Sequence, residues 1–278
     1  MKTVVILSEL NQELSVLERP LGFVPTMGYL HAGHLSLVER ARKDNASVVV
    51  SIFANPTQFA PDEDLEDYPR DIDRDLELLK KSGVDLVWIP TVDVMYPEGY
   101  QTWVDVDQLT KLLEGSYRPT HFRGVTTVVS KLFNAVGPEK AYFGQKDAQQ
   151  AAVIQRMVRD LNYPIEIIVC PIVREPDGVA MSSRNIYLDQ DERVAARSLS
   201  RGLGLARDAY QNGERRAEAL KKIVRDEVEQ EELAQLQYVS CADPENLEEL
   251  EGEIQAGLVS LAVFVGGTRL IDNIILGK

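Results

Sequence analysis

Between residues 21 and 173 short β-branched or aromatic runs alternate with helix-length amphipathic segments, and this alternation restricts the fold more than any other feature. Leu21–Val24 and Ser47–Phe53 read as strands on either side of one helix, a βαβ unit. The intervening helix has Leu35 and Val38 on one face. Pro69–Ser82 has helical spacing, with Ile72, Leu76 and Leu79 on one stripe, and Gly83 closes it before a strand at Asp85–Pro90. Val125–Val136 is a further helix, ended by Gly137-Pro138. A short strand at Ala141–Phe143 leads through Gly144 into a helix over 147–161, and Ile165–Val173 is the next strand. Strands separated by helices pair in parallel, so an α/β fold with a doubly wound parallel sheet is expected, its ligands at the strands' C-terminal ends.

After residue 173 the texture changes. Arg174–Asn185 is Gly-, Ser- and charge-rich and reads as a loop. Asp189 with Glu192 forms a capping-box pattern for a helix to about Tyr210, and a charged helix covers 214–230. Leu236–Cys241, Leu258–Val265 and Thr268–Leu276 then read as antiparallel strands. The expected organisation is a ligand-binding domain over 1–173 and a smaller α+β domain over 174–278.

Charge narrows the function. Lys and Arg total 30 against 44 Asp and Glu, a net charge of −14 in 278 residues, so no nucleic-acid partner is expected. Cys170 and Cys241 lie far apart without metal-ligand spacing. Met1–Leu10 lacks the regions of a signal peptide, and no stretch has the length of a membrane span. A cytoplasmic protein with free thiols and no membrane partner is the resulting expectation.

Two of the three histidines, His31 and His34, stand in Pro25-Thr26-Met27-Gly28-Tyr29-Leu30-His31-Ala32-Gly33-His34, between a predicted strand and a predicted helix start. A Gly-punctuated turn into a helix offers backbone N–H groups and a positive dipole end to phosphate. Imidazoles there add donors that strengthen as charge develops. A second cluster, Phe143-Gly144-Gln145-Lys146-Asp147-Ala148-Gln149-Gln150, lies at another strand end. Gly144 permits close backbone approach, Lys146 offers a point charge, and Asp147 is either a hydroxyl acceptor or a helix N-cap. Met181-Ser182-Ser183-Arg184-Asn185 combines hydroxyls with a guanidinium suited to an oligophosphate. Asn55-Pro56-Thr57-Gln58-Phe59 follows the second strand, and Gln58 carries a donor and an acceptor for a hydroxylated substrate.

Several chemistries are excluded or weakened. There is no Gly-x-x-x-x-Gly-Lys-Ser/Thr loop, no Gly-x-Gly-x-x-Gly after the first strand and no Gly-x-Ser-x-Gly elbow. Three histidines without a Cys cluster argue against zinc. The paired motifs fit nucleotidyl transfer, in which a carboxylate attacks the α-phosphate of ATP and pyrophosphate leaves. An adenylyltransferase acting on a phosphate ester, and a nucleotide-binding regulatory module without turnover, share the histidine motif and remain alternatives. The basic stretch Arg118-Pro119-Thr120-His121-Phe122-Arg123 stands out in so acidic a chain and reads as a loop. Whether Arg118, His121 or Arg123 meets a substrate is open at this point.

Taken in order, these motifs and Gly267-Thr268-Arg269-Leu270-Ile271-Asp272-Asn273 resemble those of the pantothenate synthetase family, the pantoate–β-alanine ligases of the HIGH-type nucleotidyltransferase superfamily. The matches run from residue 25 to residue 273. The resemblance implies a Rossmann-like first domain, a smaller C-terminal lid, a homodimer, and Mg²⁺ used with ATP as co-substrate. It implies that pantoate and ATP form pantoyl adenylate, from which β-alanine displaces AMP to give pantothenate. Met27, Gly28, Tyr29, Leu30, His31, Ala32, Gly33, His34, Gly144, Gln145, Lys146, Asp147, Val173, Met181, Ser182, Ser183 and Arg184 would then bind ATP. Among these His34, as proton donor, with His31, Lys146 and Arg184 would be catalytic. Gln58 and Gln150 would hold pantoate, with Gln58 also near β-alanine, and Asp75 is the candidate Mg²⁺ ligand.

Overall fold

The computed structural model describes residues 1–60 and 65–277. Its first unit, residues 1–144 with 153–171, is built on a six-stranded sheet in which every strand pairing is parallel. The chain runs β1 (Lys2–Val4), α1 (Leu7–Leu14), β2 (Leu21–Thr26), α2 (Ala32–Asp44), β3 (Ser47–Ile52), α3 (Ile72–Lys81), β4 (Leu86–Trp88), α4 (Val92–Met95), α5 (Glu114–Tyr117), α6 (His121–Val136), β5 (Lys140–Gly144), α7 (Ala148–Asp160) and β6 (Glu166–Cys170). Strand order is β1-β4-β3-β2-β5-β6, so the winding reverses between β2 and β5. Ligand crevices of such sheets open at that reversal.

Burial on both faces explains why the central strands are continuously apolar. Val48, Val50 and Ile52 of β3 join Leu37, Val38 and Ala41 of α2 and Leu79 of α3 in one core. On the other face, Phe23 meets Phe133 of α6 edge to face with ring centroids 6.4 Å apart, and Phe133 meets Phe143 at 6.3 Å. The sheet is thereby the middle layer of three.

The second unit, residues 145–152 with 172–277 of the described chain, holds α8 (Gln190–Gln211), α9 (Ala217–Val228) and the antiparallel sheet β7 (Ala234–Ala242), β8 (Gly257–Val265), β9 (Thr268–Leu276). Leu199, Leu203, Leu220 and Val224 from the helices pack on Val259, Leu261 and Val263 of the sheet. The expected capping box forms: Asp189 accepts from the N–H groups of Asp191 and Glu192 at 2.9 and 2.8 Å, and its own N–H donates to Glu192.

The structure departs from the sequence reading in particular places. The second unit takes in residues 145–152 and starts its main run at Ile172, where a single boundary at 173 is expected. The cause is a side chain of β9 that binds the backbone of the 145–147 turn, described below. α6 begins at His121, four positions ahead of the expected Val125, so His121 and Arg123 lie on a helix. β6 stops at Cys170 because Pro171 has no N–H to donate. In α3 the buried positions are Asp75 and Leu79, while Ile72 is exposed. β1 and α1 at the N-terminus have no counterpart in the sequence reading.

Candidate active site

In the first unit the histidine motif leaves β2 at Thr26 and turns sharply into α2. Gly28 and Tyr29 both have positive φ, 89° and 50°, which glycine adopts freely and tyrosine only under constraint. The constraint is Asp75. It is fully buried, its Oδ2 accepts from the Tyr29 N–H at 2.7 Å, and its Oδ1 accepts from the Leu30 N–H at 2.8 Å. Burial pushes the Asp75 carboxyl above its ordinary value, opposed by the N–H groups of Leu30 and Tyr29 and by Arg74. The Arg74 guanidinium lies 5.2 Å from the centroid of the Tyr29 ring, so two consecutive residues of α3 grip this turn.

His31 is the N-cap of α2, its Nδ1 accepting from the Gly33 N–H at 3.1 Å. His34 completes a capping box: its Nδ1 accepts from the His31 N–H at 3.3 Å. Each neutral ring therefore carries its proton on Nε2. The ring centroids are 4.0 Å apart. The sequence reading expects backbone N–H groups to be open to phosphate here, and the structure commits most of them. The N–H groups of Gly28, Tyr29, Leu30, His31 and Gly33 all bond to side chains of this unit. In each ring Nε2 is the nitrogen that the cap does not use.

The turn after β3 brings Gln58 to this motif. Its Nε2 contacts Met27 Sδ at 2.9 Å, and its Oε1 accepts from Asn55 Nδ2 at 3.2 Å. Asn55 also donates to the Gly124 carbonyl and accepts from the Tyr96 hydroxyl at 2.8 Å. The basic stretch, open in function from sequence, is partly accounted for. His121 Nδ1 lies 2.8 Å from the Gln58 carbonyl oxygen, and Arg118 Nη2 donates to it at 3.5 Å. Gly124 lies so close to this turn that a Cβ would come within 2.4 Å of the Thr57 carbonyl oxygen. Arg123 points elsewhere, its guanidinium 4.7 Å from the Trp103 ring centroid. The singular third histidine and the basic run were the available signals for this support. Nothing local to Asn55 or Gly124 disclosed their shares in it.

In the second unit Gln145–Asp147 forms a single 3₁₀ turn ahead of α7, and Lys146 Nζ stands 3.6 Å from Asp147 Oδ1. Gln149 is buried and Gln150 half-buried on the first turn of α7. Val173 and Met181 face each other across a hairpin, the Met181 N–H donating to the Val173 carbonyl at 3.0 Å. Ser182 caps a 3₁₀ turn over Ser183–Tyr187 by accepting from the Arg184 N–H. The hairpin is locked by Arg193, whose guanidinium forks onto Asp177 at 2.7 and 2.9 Å and reaches Glu175 at 3.1 Å. That pairing holds the Asp177 carboxyl below its ordinary value.

The candidate Mg²⁺ ligand, Asp75, is committed to the backbone. Asp75 has each oxygen bonded to a backbone N–H and no exposed surface. Among the described residues no three His, Cys, Asp or Glu side chains gather as metal ligands. Among the same residues, no helix is long and apolar enough to cross a membrane.

Comparison with known proteins adds the following. The family model described as pantoate-beta-alanine ligase matches residues 1–275. A pantothenate synthetase of Roseiflexus sp. (strain RS-1) is 54% identical over 276 residues, covering 99% of each chain. One from Herpetosiphon aurantiacus is 56% identical over 257 residues, 92% of this chain and 93% of that one. Among solved structures, pantothenate synthetase from Thermus thermophilus superposes with a TM-score of 0.94 at 45% identity, covering 99% of both chains. The pantoate-beta-alanine ligase of Francisella tularensis, solved with beta-gamma ATP and beta-alanine, gives 0.80 at 32% identity over 99% of this chain and 97% of that one.

Proposed function

The chain belongs to the pantoate–β-alanine ligase family, and on that premise we propose how its own residues carry the ligation. It is an ATP-dependent ligase of pantoate and β-alanine. In the first half-reaction a pantoate carboxylate oxygen attacks the α-phosphorus of ATP, forming the acyl phosphate bond as the bond to pyrophosphate breaks. In the second the β-alanine amine attacks the acyl carbon, the bond to AMP oxygen breaks, and the amine's surplus protons pass to solvent.

His34 and His31 serve as neutral Nε2–H donors to the phosphate oxygens, strengthening as pyrophosphate takes up charge. The single observation that carries this is the mutual capping: both Nδ1 atoms accept backbone N–H groups at 3.1 and 3.3 Å. Protonating either Nδ1 would break a cap bond and set a cation against a ring 4.0 Å away. A hydrogen-bond donor, and not the proton donor that the resemblance implies, is the role this geometry supports. Met27 to Gly33 would line ATP beside them.

Gly144, Gln145, Lys146 and Asp147 would contact the nucleotide, with Lys146 on phosphate, Val173 on the adenine side, and Met181, Ser182, Ser183 and Arg184 on the phosphates. Gln58 and Gln150 would hold pantoate, and Gln58 β-alanine. The present partner of Gln58 Nε2 is a thioether, a weak acceptor, so exchanging it for a substrate oxygen costs little. Mg²⁺ would enter on the ATP phosphates, since no carboxylate set gathers for it among the described residues. A cytoplasmic homodimer is the assembly the family resemblance supports, and sedimentation of the purified chain tests it.

The test of the reaction is a product assay with ATP, Mg²⁺, pantoate and β-alanine, omitting each in turn. Pyrophosphate release should require pantoate but not β-alanine in a single turnover. AMP release should require all four. Pyrophosphate release without pantoate would contradict the assignment.

A further inference from the structure

The Gly267–Asn273 motif carries no role in the reading above, yet its last two residues are buried polar groups in the middle of β9. Asp272 is 3% and Asn273 2% exposed. Their bonds go to the loops assigned to the nucleotide. Asn273 Nδ2 donates to the carbonyl oxygens of Gln145 at 3.0 Å and Lys146 at 2.9 Å. Its Oδ1 accepts from Gln145 Nε2 at 3.0 Å. The amide thus spends both donors and its acceptor on one three-residue turn, the turn that carries Lys146. Asp272 takes the other loop. Its carboxylate receives the Arg174 guanidinium in a fork, at 2.6 and 3.0 Å, while Arg174 also donates to the Gly178 carbonyl at 3.1 Å. Arg174 and Ala180 pair across the hairpin that continues into Met181–Arg184. Asp272 Oδ1 accepts the Asn273 N–H at 2.8 Å, which couples the two anchors.

We propose that Asp272 and Asn273 are positioning residues for adenylation: Asn273 sets the Lys146 turn and Asp272, through Arg174, sets the hairpin leading to Arg184. This rests on the reading of Lys146 and Arg184 as phosphate contacts. The chemistry is specific. Fixing the Gln145 and Lys146 carbonyls inward turns two acceptors away from an anionic ligand. A short lysine-bearing turn otherwise has freedom to present those oxygens to the phosphates. Both side chains are spent on protein groups, so each acts through the lysine turn or the hairpin.

The experiment is a double-mutant cycle on pantoate-dependent pyrophosphate release by the full-length enzyme, with Asn273→Ala, Lys146→Ala and their combination. Asn273→Ala should slow the step roughly tenfold to a hundredfold, the scale on which small misplacements of a catalytic group act. It should leave the KM for pantoate within about twofold. In the Lys146→Ala background the same change should have little further effect, because the group it positions is gone. A purely structural role would instead lower both backgrounds by the same factor, and that result overturns the proposal. If Lys146→Ala releases pyrophosphate at the wild-type rate, the reading of Lys146 falls and the proposal falls with it, so the two failures are distinct. Arg174→Lys serves if Asn273→Ala does not fold. It keeps the charge and loses the fork, and should slow adenylation while Arg174→Ala slows it more. Wild-type rates in both arginine variants would overturn the Asp272 half.

Discussion

Replacing Asp75 by alanine isolates the support of the histidine motif. The carboxylate is the partner of two consecutive backbone N–H groups, of Tyr29 at 2.7 Å and of Leu30 at 2.8 Å. Leaving a buried donor unsatisfied costs about 1–3 kcal/mol, so two would cost roughly 2–6 kcal/mol if the turn held its shape. It will not hold it at the upper end of that range. Tyr29, at φ 50°, recovers about 1–3 kcal/mol by leaving the left-handed region once nothing binds its N–H. The net loss of stability should therefore be about 1–3 kcal/mol, measured by urea unfolding, with the turn rearranged. Because His31 begins two residues after Tyr29, pantoate-dependent pyrophosphate release should fall by at least about a hundredfold. Asp75→Asn, which keeps one acceptor, should fall between. Raising Mg²⁺ separates this reasoning from a metal-ligand role: a lost ligand is compensated by more metal, a collapsed turn is not. Wild-type turnover in Asp75→Ala, or recovery of its activity at high Mg²⁺, would refute the argument.

Other expectations are as direct. His34→Ala should cost adenylation about 2–4 kcal/mol in rapid-quench rates, the scale for one oriented transition-state donor. Gln58→Ala should raise the KM for pantoate while ATP affinity, read by calorimetry, stays within about twofold; a selective loss of ATP binding contradicts it. Gly124→Ala forces a Cβ against the Thr57 carbonyl oxygen at 2.4 Å and should destabilise the protein by about 1–3 kcal/mol, with pantoate KM rising as the Gln58 turn shifts. Asp177 has its folded-state pKa below the unfolded value of about 3.9, through its bond to Arg193. Its contribution is present above that value and lost as pH falls through the folded one. Melting temperatures between about pH 5 and pH 2 should fall less steeply in Arg193→Gln than in wild type, and parallel curves would reject the linkage.

Much of the fold was legible because its signals are local. The apolar runs of β2 and β3 are continuous since both faces of the sheet are covered, and Asp189 with Glu192 announces α8 within four residues. What could not be read depends on partners far along the chain. The stripe Ile72, Leu76, Leu79 is a fair helix pattern, yet α3 buries a carboxylate that only makes sense beside backbone donors 45 and 46 residues away. Gly124 stands just ahead of Val125, the expected start of α6. In the structure it is the point where that helix passes the Thr57 carbonyl, and no larger residue fits.

The site shows the same division and one consequence of it. Sequence picks out residue types by local pattern, and on that ground it nominates the histidines, Lys146, Arg184 and Gln58. It does not find where each backbone group is spent. A strand-to-helix turn reads as an anion seat because its N–H groups are taken to be open, but here five of them, at Gly28, Tyr29, Leu30, His31 and Gly33, are bonded internally. These five N–H groups are therefore not what the turn would offer an anion under the proposed function. On the proposed role the imidazole pair carries two tasks, closing the cap through Nδ1 and donating through Nε2. His34→Ala removes both functions together, whereas His34→Asn retains a cap acceptor with a shorter reach. If helix capping alone mattered, the asparagine variant would adenylate at the wild-type rate. If the Nε2–H donor matters, it should remain as slow as alanine while recovering the stability that alanine loses.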